Sequence, residues 1–408
     1  MQHASGDSSL RQYAIITGNY WAFTLTDGAL RMLVVLHFHS LGYNALQIAL
    51  MFIFYELFGV VTNLLGGYLG ARIGLNRTMN IGLGLQLLAL SMLLVGPNFL
   101  TVVWVMAAQA ISGIAKDLNK MSAKSAVKVL RPAQNSTKLY RWVALLTGSK
   151  NALKGGGFFL GGVLLSLYGF YTSIVIMLIG LGAVWLLSLK YLKADLGRSK
   201  QPPKITQILS KNTAINRLSS ARLCLFAARD VWFVVALPVY LAQQLGWAFW
   251  QVSGFLAAWI VGYGLVQMIT PVLTKKVHHT HPSGTLRYAH QTAFRWQVAL
   301  LLVPLAIAFG LHFYWHNAAV LVLGLAIFGF VFAVNSSLHS YLILALAKTD
   351  EVALDVGFYY MANAAGRLLG TLLSGWVFLQ FGLIACLVLS TILVSGAAYI
   401  TRTMARSA

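Results

Sequence analysis

The sequence predicts an all-α integral membrane protein with about twelve membrane-crossing helices in two six-helix halves. Three observations carry this expectation. The chain of 408 residues is 58% hydrophobic and only 10% charged, whereas a soluble domain carries about 25% charged residues. Apolar runs of roughly 20 residues, the length that crosses a bilayer, recur from one end to the other. Lysine and arginine, 30 against 9 aspartate and glutamate, collect on alternate loops between those runs.

The polar start, residues 1–11, lacks the apolar core and small-residue cleavage site of a signal peptide, so the first span is expected to be retained. Run length and loop breaks place spans 1 to 6 at 13–39, 46–69, 78–96, 100–123, 141–166 and 170–192. Spans 7 to 12 follow at 219–242, 248–272, 293–315, 318–345, 353–378 and 381–402. The longest polar stretch, 193–218, contains Pro202 and Pro203 and is rich in lysine and arginine. It reads as a linker between an N-terminal half, 1–192, and a C-terminal half, 219–408.

The basic loops carry Arg72 and Arg77; Lys128, Arg131 and Lys138; the linker; Lys275, Lys276 and Arg287; Lys348; and Arg402 with Arg406. The intervening loops, 40–45, 96–100, 167–170, 243–248, 315–318 and 378–382, contain neither residue type. This alternation is the positive-inside rule, and it places both termini in the cytoplasm. It also explains most of the net charge of +21 and argues against nucleic acid as a partner. The lipid bilayer is the expected surroundings, and a monomer the expected state.

Cys224 and Cys386 each lie inside an apolar run, with no metal-ligand spacing and no pairing expected between them. His278, His279 and His281 fall in a basic loop and read as solvated rather than as a metal site. Asn76-Arg77-Thr78 and Asn135-Ser136-Thr137 match the glycosylation pattern but fall on the cytoplasmic side. The sequence has no phosphate loop G-x-x-x-x-G-K-[ST], no G-x-S-x-G elbow and no H-E-x-x-H. The expectation is a carrier driven by a gradient, with no cofactor and no enzymatic activity.

Two six-helix halves joined by a basic loop resemble the layout of the major facilitator superfamily. The loop after span 2 strengthens the resemblance. Gly67, Leu69, Gly70, Arg72 and Gly74 match that superfamily's gating loop, G-x-L-[A/G]-D-R-x-G-R-[K/R], which here runs to Arg77. Ala71 stands where aspartate is usual, so the acid of the usual gating salt bridge is missing.

An ionisable group in hydrocarbon is costly and is a functional candidate by default. Asp27 and Arg31 in span 1 are four apart and share a face, so they are expected to pair. That pair reads equally well as structural. Glu56 lies mid-way along span 2. Lys116 and Asp117 lie in the inner half of span 4. Lys116 fits either a cavity or a headgroup-seeking position, Lys120 at the interface fits an embedded cation or a headgroup-seeking one, and Lys124 is expected to reach the headgroups. Lys150 and Lys154 in span 5 and Arg367 in span 11 are too deep for that. Arg229 and Asp230, adjacent in span 7, point about 100° apart.

Embedded cations outnumber embedded acids, and an anionic ligand would offset the cost of burying them. Arginine suits bidentate contact with oxyanions and lysine supplies compact charge. The expected substrate is therefore a small, multiply charged anion. Asn335, Ser336, Ser337 and His339 in span 10, and Tyr359, Tyr360 and Asn363 in span 11, fit a cavity lining or interhelical hydrogen bonding equally well. Gly155, Gly156, Gly157, Gly161 and Gly162 in span 5 fit close helix packing.

Five segments, 17–43, 74–86, 112–128, 146–162 and 357–376, closely resemble the ArsJ-type organoarsenical efflux permeases of the same superfamily. The resemblance covers nearly the whole chain and includes the embedded charges. It implies export of 1-arseno-3-phosphoglycerate across a bacterial inner membrane, conferring arsenate resistance. A glyceraldehyde-3-phosphate dehydrogenase would be the functional partner that makes this compound. Arg31, Lys116, Lys150, Lys154, Arg229 and Arg367 would bind the substrate. Asp27, Glu56, Asp117 and Asp230 would pair with them or carry protons, with proton antiport as the expected coupling. A carrier of another phosphorylated or organic anion, or a drug exporter, is the alternative. A non-transporting scaffold would have no need of embedded charge.

Overall fold

The computed structural model describes residues 6–43, 51–130, 136–192, 196–199, 212–247, 249–274, 282–313, 318–348 and 351–407. Among these residues the structure is helical, without strands. The helices are α1 (Gly6–Ser40), α2 (Ile53–Ile73), α3 (Leu75–Met92), α4 (Val102–Leu130), α5 (Ser136–Tyr191), α6 (Thr213–Phe233), α7 (Ala236–Gln243), α8 (Phe249–Leu273), α9 (Pro282–Phe313), α10 (Ala318–Leu346) and α11 (Val352–Ser407). The histidines of 275–281 and most of the 193–218 linker lie outside the described residues.

Seven stretches among the described residues are long and apolar enough to cross a membrane. Two of them, within α5 and α11, run for 53 residues and hold two crossings each. Helices α1, α3 and α4 complete the set of about twelve, and their composition is less apolar because α1 and α4 carry the embedded charges. The expected loops at 167–170 and 378–382 shrink to single residues. Gly169 (φ 71°, ψ −179°) and Gly382 (φ 77°, ψ −174°) each break an otherwise continuous helix. Only glycine takes that backbone conformation without strain.

Span 7 also differs from expectation. It starts earlier, at Thr213, where Asn212 caps the helix by accepting a hydrogen bond from Ala214 N–H at 2.9 Å. It then breaks at Val234–Val235 before α7 resumes. Pro238 explains the break, because proline has no N–H for the carbonyl four residues back and its ring clashes there. Ser374 Oγ accepts the nearby Ala236 N–H at 3.1 Å.

The chain forms two compact units. Unit 1 comprises Met1–Ala133, Ser149–Leu209 and Ala347–Met361. Unit 2 comprises Gln134–Gly148, Ser210–Leu346 and Ala362–Ala408. Within unit 1, glycines bring helices to backbone contact. A Cβ on Gly157 would lie 2.5 Å from the Leu25 carbonyl oxygen, and one on Gly113 would lie 2.6 Å from that of Tyr55. These contacts fix α5 against α1 and α4 against α2, and the charged side chains ride on those four elements. The C-terminal segment of unit 1 meets α2 in the same way, with Gly67 against Ala353 and Gly357.

Within unit 2, an aromatic core holds α6, α8 and α10 together. Trp232 meets Phe328 edge-on at 4.8 Å, and Trp259 donates to the Leu325 carbonyl at 2.8 Å. At the other end of this unit, Tyr140 packs on Tyr341 at 4.8 Å and accepts from Thr274 Oγ1 at 3.2 Å.

Candidate functional site

In unit 1 the charges gather around Tyr55. Its buried position on α2 follows from Gly113, since any side chain there would collide with the Tyr55 backbone. The Tyr55 hydroxyl donates to both oxygens of Asp27, at 2.7 and 2.9 Å. Lys116 Nζ lies 3.7 Å from the ring centroid and the Arg31 guanidinium carbon 4.9 Å from it. A phenol that donates to a carboxylate has an electron-rich ring. Two cations on it are each favoured by about 0.5–2 kcal/mol.

The expected Asp27–Arg31 pair is not formed. Arg31 turns to Glu56 at 3.5 Å and stacks over Phe52 at 5.0 Å. Asp27 takes the tyrosine hydroxyl instead, because its carboxylate is buried at 6% exposure while Arg31 and Glu56 remain about a quarter exposed. Shared helix face allowed the pair, but the neighbouring helix supplied better partners to both residues.

Asp117, 1% exposed, bonds Lys120 at 2.5 Å and lies 3.9 Å from Lys116. Lys120 is buried too. Lys124 does not snorkel to solvent as expected: it is 6% exposed and donates to the Tyr360 hydroxyl at 2.5 Å. Lys128, at the end of α4, is equally covered. Lys150 and Lys154 on α5 are partly buried. Lys154 Nζ lies 5.8 Å from the Phe158 ring, and the Lys154 carbonyl is one of the close contacts of Gly28 on α1.

Unit 2 carries its own cluster. Asp230, fully buried, accepts from Arg229 at 2.5 Å and from Arg367 Nε at 3.3 Å. The adjacent Arg229 and Asp230 leave the backbone in different directions, yet the long arginine folds back onto its neighbour. Its guanidinium lies over Phe226 at 4.8 Å and Phe332 at 5.5 Å. Arg222 is a further embedded cation that the sequence reading passed over. In the expected span 219–242 Arg222 lies three residues from the edge; with α6 starting at Thr213 it lies about 13 Å along the helix. It is 3% exposed, donates to Asn363 Oδ1 at 2.9 Å and to the Ser336 carbonyl at 3.2 Å, and covers the Phe226 ring at 4.0 Å.

Of the span 10 residues, Asn335 binds α9 through the Trp296 carbonyl at 2.9 Å. His339, fully buried, has the Gln297 side-chain nitrogen 2.8 Å from its Nε2. Tyr55 was the other omission, and Tyr360 had been left open between cavity lining and interhelical bonding. Nothing in the sequence distinguishes them from ordinary core tyrosines; only their spacing to lysines on another helix does.

The 67–77 loop, where the superfamily pattern was matched, is built from backbone. Gly74 (φ 96°, ψ 152°) turns the chain from α2 into α3, and Gly67 allows the close approach already described. Arg72 and Arg77 are exposed, and Arg72 donates to the Tyr68 hydroxyl at 3.0 Å. Where the superfamily pattern has an acid, Ala71 offers its carbonyl to Ser199 N–H at 2.9 Å, and Leu75 N–H donates to the Leu196 carbonyl at 2.8 Å. The start of the linker is thereby fastened across the loop. Among the described residues no group of histidine, cysteine, aspartate and glutamate could hold a metal ion.

A sequence profile described as Major Facilitator Superfamily matches residues 16–289. No curated protein matches the chain by sequence. Several solved structures share its fold. The E. coli fucose:proton symporter FucP superposes with a TM-score of 0.73 at 13% identity, over 97% of this chain and 99% of that one. The human organic anion transporter MFSD10 gives 0.74 at 16% identity, over 96% and 99%. A bacterial homologue of the iron transporter ferroportin, in its outward-facing state, gives 0.73 at 14% identity, over 97% and 99%.

Proposed function

The chain belongs to the major facilitator superfamily, and from that premise we propose that this membrane transporter exports a multiply charged organic anion, 1-arseno-3-phosphoglycerate. The fold neighbours include a fucose:proton symporter, an organic anion transporter and a homologue of an iron transporter, so the fold leaves the cargo open and the side chains must decide it. The observation that carries the reading is the excess of embedded cations in each unit. Unit 1 sets Arg31, Lys116, Lys120, Lys124, Lys150 and Lys154 against Asp27, Glu56 and Asp117. Unit 2 sets Arg222, Arg229 and Arg367 against Asp230. Buried cations are costly without counter-charge, and a cargo with an arseno group at one end and a phosphate at the other supplies it at two places. The arsenical identity, the direction and the bacterial inner membrane come from the resemblance to the ArsJ-type permeases.

In this reading Arg31, Lys116, Lys150, Lys154, Arg229 and Arg367 contact the anion. Glu56, Asp117 and Asp230 hold cations when the site is empty, Asp27, bound to the Tyr55 hydroxyl, carries a proton, and proton antiport drives the cycle by alternating access. Both termini lie in the cytoplasm. The test is arsenate resistance in an arsenic-sensitive bacterium expressing the protein with and without a glyceraldehyde-3-phosphate dehydrogenase. Resistance and lower cellular arsenic are expected only when both are present. Membrane-inserted protein that gives no protection in either case would overturn the arsenical assignment.

A further inference from the structure

Lys116, Lys120, Lys124 and Lys128 follow one another at four-residue intervals on α4, so each lies about one turn from the next in a row that winds slowly around the helix over about 18 Å. Lysines at the inner end of a membrane helix ordinarily extend into the headgroups and water. These do the opposite: Lys120 is 9% exposed, and Lys124 and Lys128 are each 6% exposed. Tyr360, from the C-terminal segment of unit 1, lies against two of them. Its ring centroid is 5.0 Å from Lys120 Nζ and 4.7 Å from Lys124 Nζ, and its hydroxyl accepts from Lys124 at 2.5 Å. Further along, Asp117 contacts Lys120 and Lys116, and the Tyr55 ring lies under Lys116. Electron-rich groups thus line the row as far as Lys124, a carboxylate beside Lys116 and Lys120 and a phenol beside Lys120 and Lys124. They stand where an anion would stand.

We propose that Lys120, Lys124 and Lys128 form a second anion subsite at the cytoplasmic end of α4, which accepts an oxyanion group of the cargo and delivers it to Lys116. Tyr360 is the displaceable occupant of this subsite. An oxyanion with several acceptor oxygens can be shared by ammoniums one helical turn apart, so each handover costs no full desolvation. The proposal rests on the anion-carrier reading and adds a cytoplasmic waiting position to it.

The test uses the full chain in lipid nanodiscs and follows its thermal melting against 3-phosphoglycerate and inorganic phosphate, with chloride at matched ionic strength as the control. The wild type is expected to melt higher with either probe. Lys124→Gln is expected to need about tenfold more probe for the same rise, and Lys124→Arg, which keeps the charge, to behave as wild type. Tyr360→Phe keeps the ring but removes the competing oxygen, and is expected to need less probe. A folded Lys124→Gln with the wild-type dose response would overturn the subsite while leaving the anion carrier intact. A wild type stabilised by neither probe would overturn both.

Discussion

At the scale of single residues, two tyrosines and one aspartate organise the charge. Tyr55→Phe removes the donor of Asp27 and leaves a buried carboxylate short of a partner. A loss of about 1–3 kcal/mol in stability is expected, read as a lower melting temperature, together with slower export because Lys116 and Arg31 lose a polarised ring. Asp230→Ala leaves Arg229 and Arg367 facing each other across an emptied position. Breaking such a buried pair costs about 3–5 kcal/mol, so this variant is expected to melt lower and to lose export. Asp230→Glu, which keeps the charge, should recover part of both, and an Asp230→Ala protein with unaltered melting would contradict the pairing. The sequence showed which residues were costly to bury, because charge in an apolar run needs no structure to be noticed. It did not show who holds whom. Asp27 and Arg31 satisfied the four-residue rule and still chose partners on α2, since the rule speaks for an isolated helix. Tyr55 was illegible for the converse reason: a tyrosine in an apolar run is unremarkable until a cation on another helix is placed over it.

At the scale of elements, close approach through glycine sets where the charged groups stand. Gly113→Val would press methyl groups into the Tyr55 backbone, push α4 from α2 and separate Lys116 from the ring. Gly157→Leu would do the same between α5 and α1. Both are expected to lower the yield of folded protein in detergent. Gly180, with open space around its Cβ position, gives the control: Gly180→Ala should express normally, and equal expression of all three would contradict the packing argument. Run length located the helices themselves, because the bilayer fixes their length, but several ends lie well off the expected bounds: α9 starts at Pro282 instead of 293, and α4 runs on to Leu130 instead of 123. It placed the breaks around Gly169 and Gly382 but drew them as loops of several residues, where the structure turns on a single glycine. It missed the break at Val234–Val235, which comes from a proline four residues downstream, and it started span 7 six residues late, at 219 instead of Thr213, which left Arg222 near its edge.

At the scale of the whole molecule, the alternation of basic and uncharged loops is the feature that a sequence records most completely, because it is one-dimensional. With Cys224 and Cys386 replaced by alanine, an Asn98→Cys protein is expected to react with a membrane-impermeant maleimide in intact cells. An Arg77→Cys protein should react only after permeabilisation, and both residues are exposed in the fold. The reverse pattern would invert the topology. The cargo was not legible from the pattern, since net charge selects a class of molecule and not a member of it. The two glycine breaks have a consequence of another kind. Gly169 and Gly382 stand 213 residues apart, and so do Lys154 and Arg367, and Lys150 and Asn363. That common offset is the spacing an internal repeat of two six-helix halves leaves behind: matched positions carry the same glycine turn, with lysine and lysine before it in the first half and asparagine and arginine in the second.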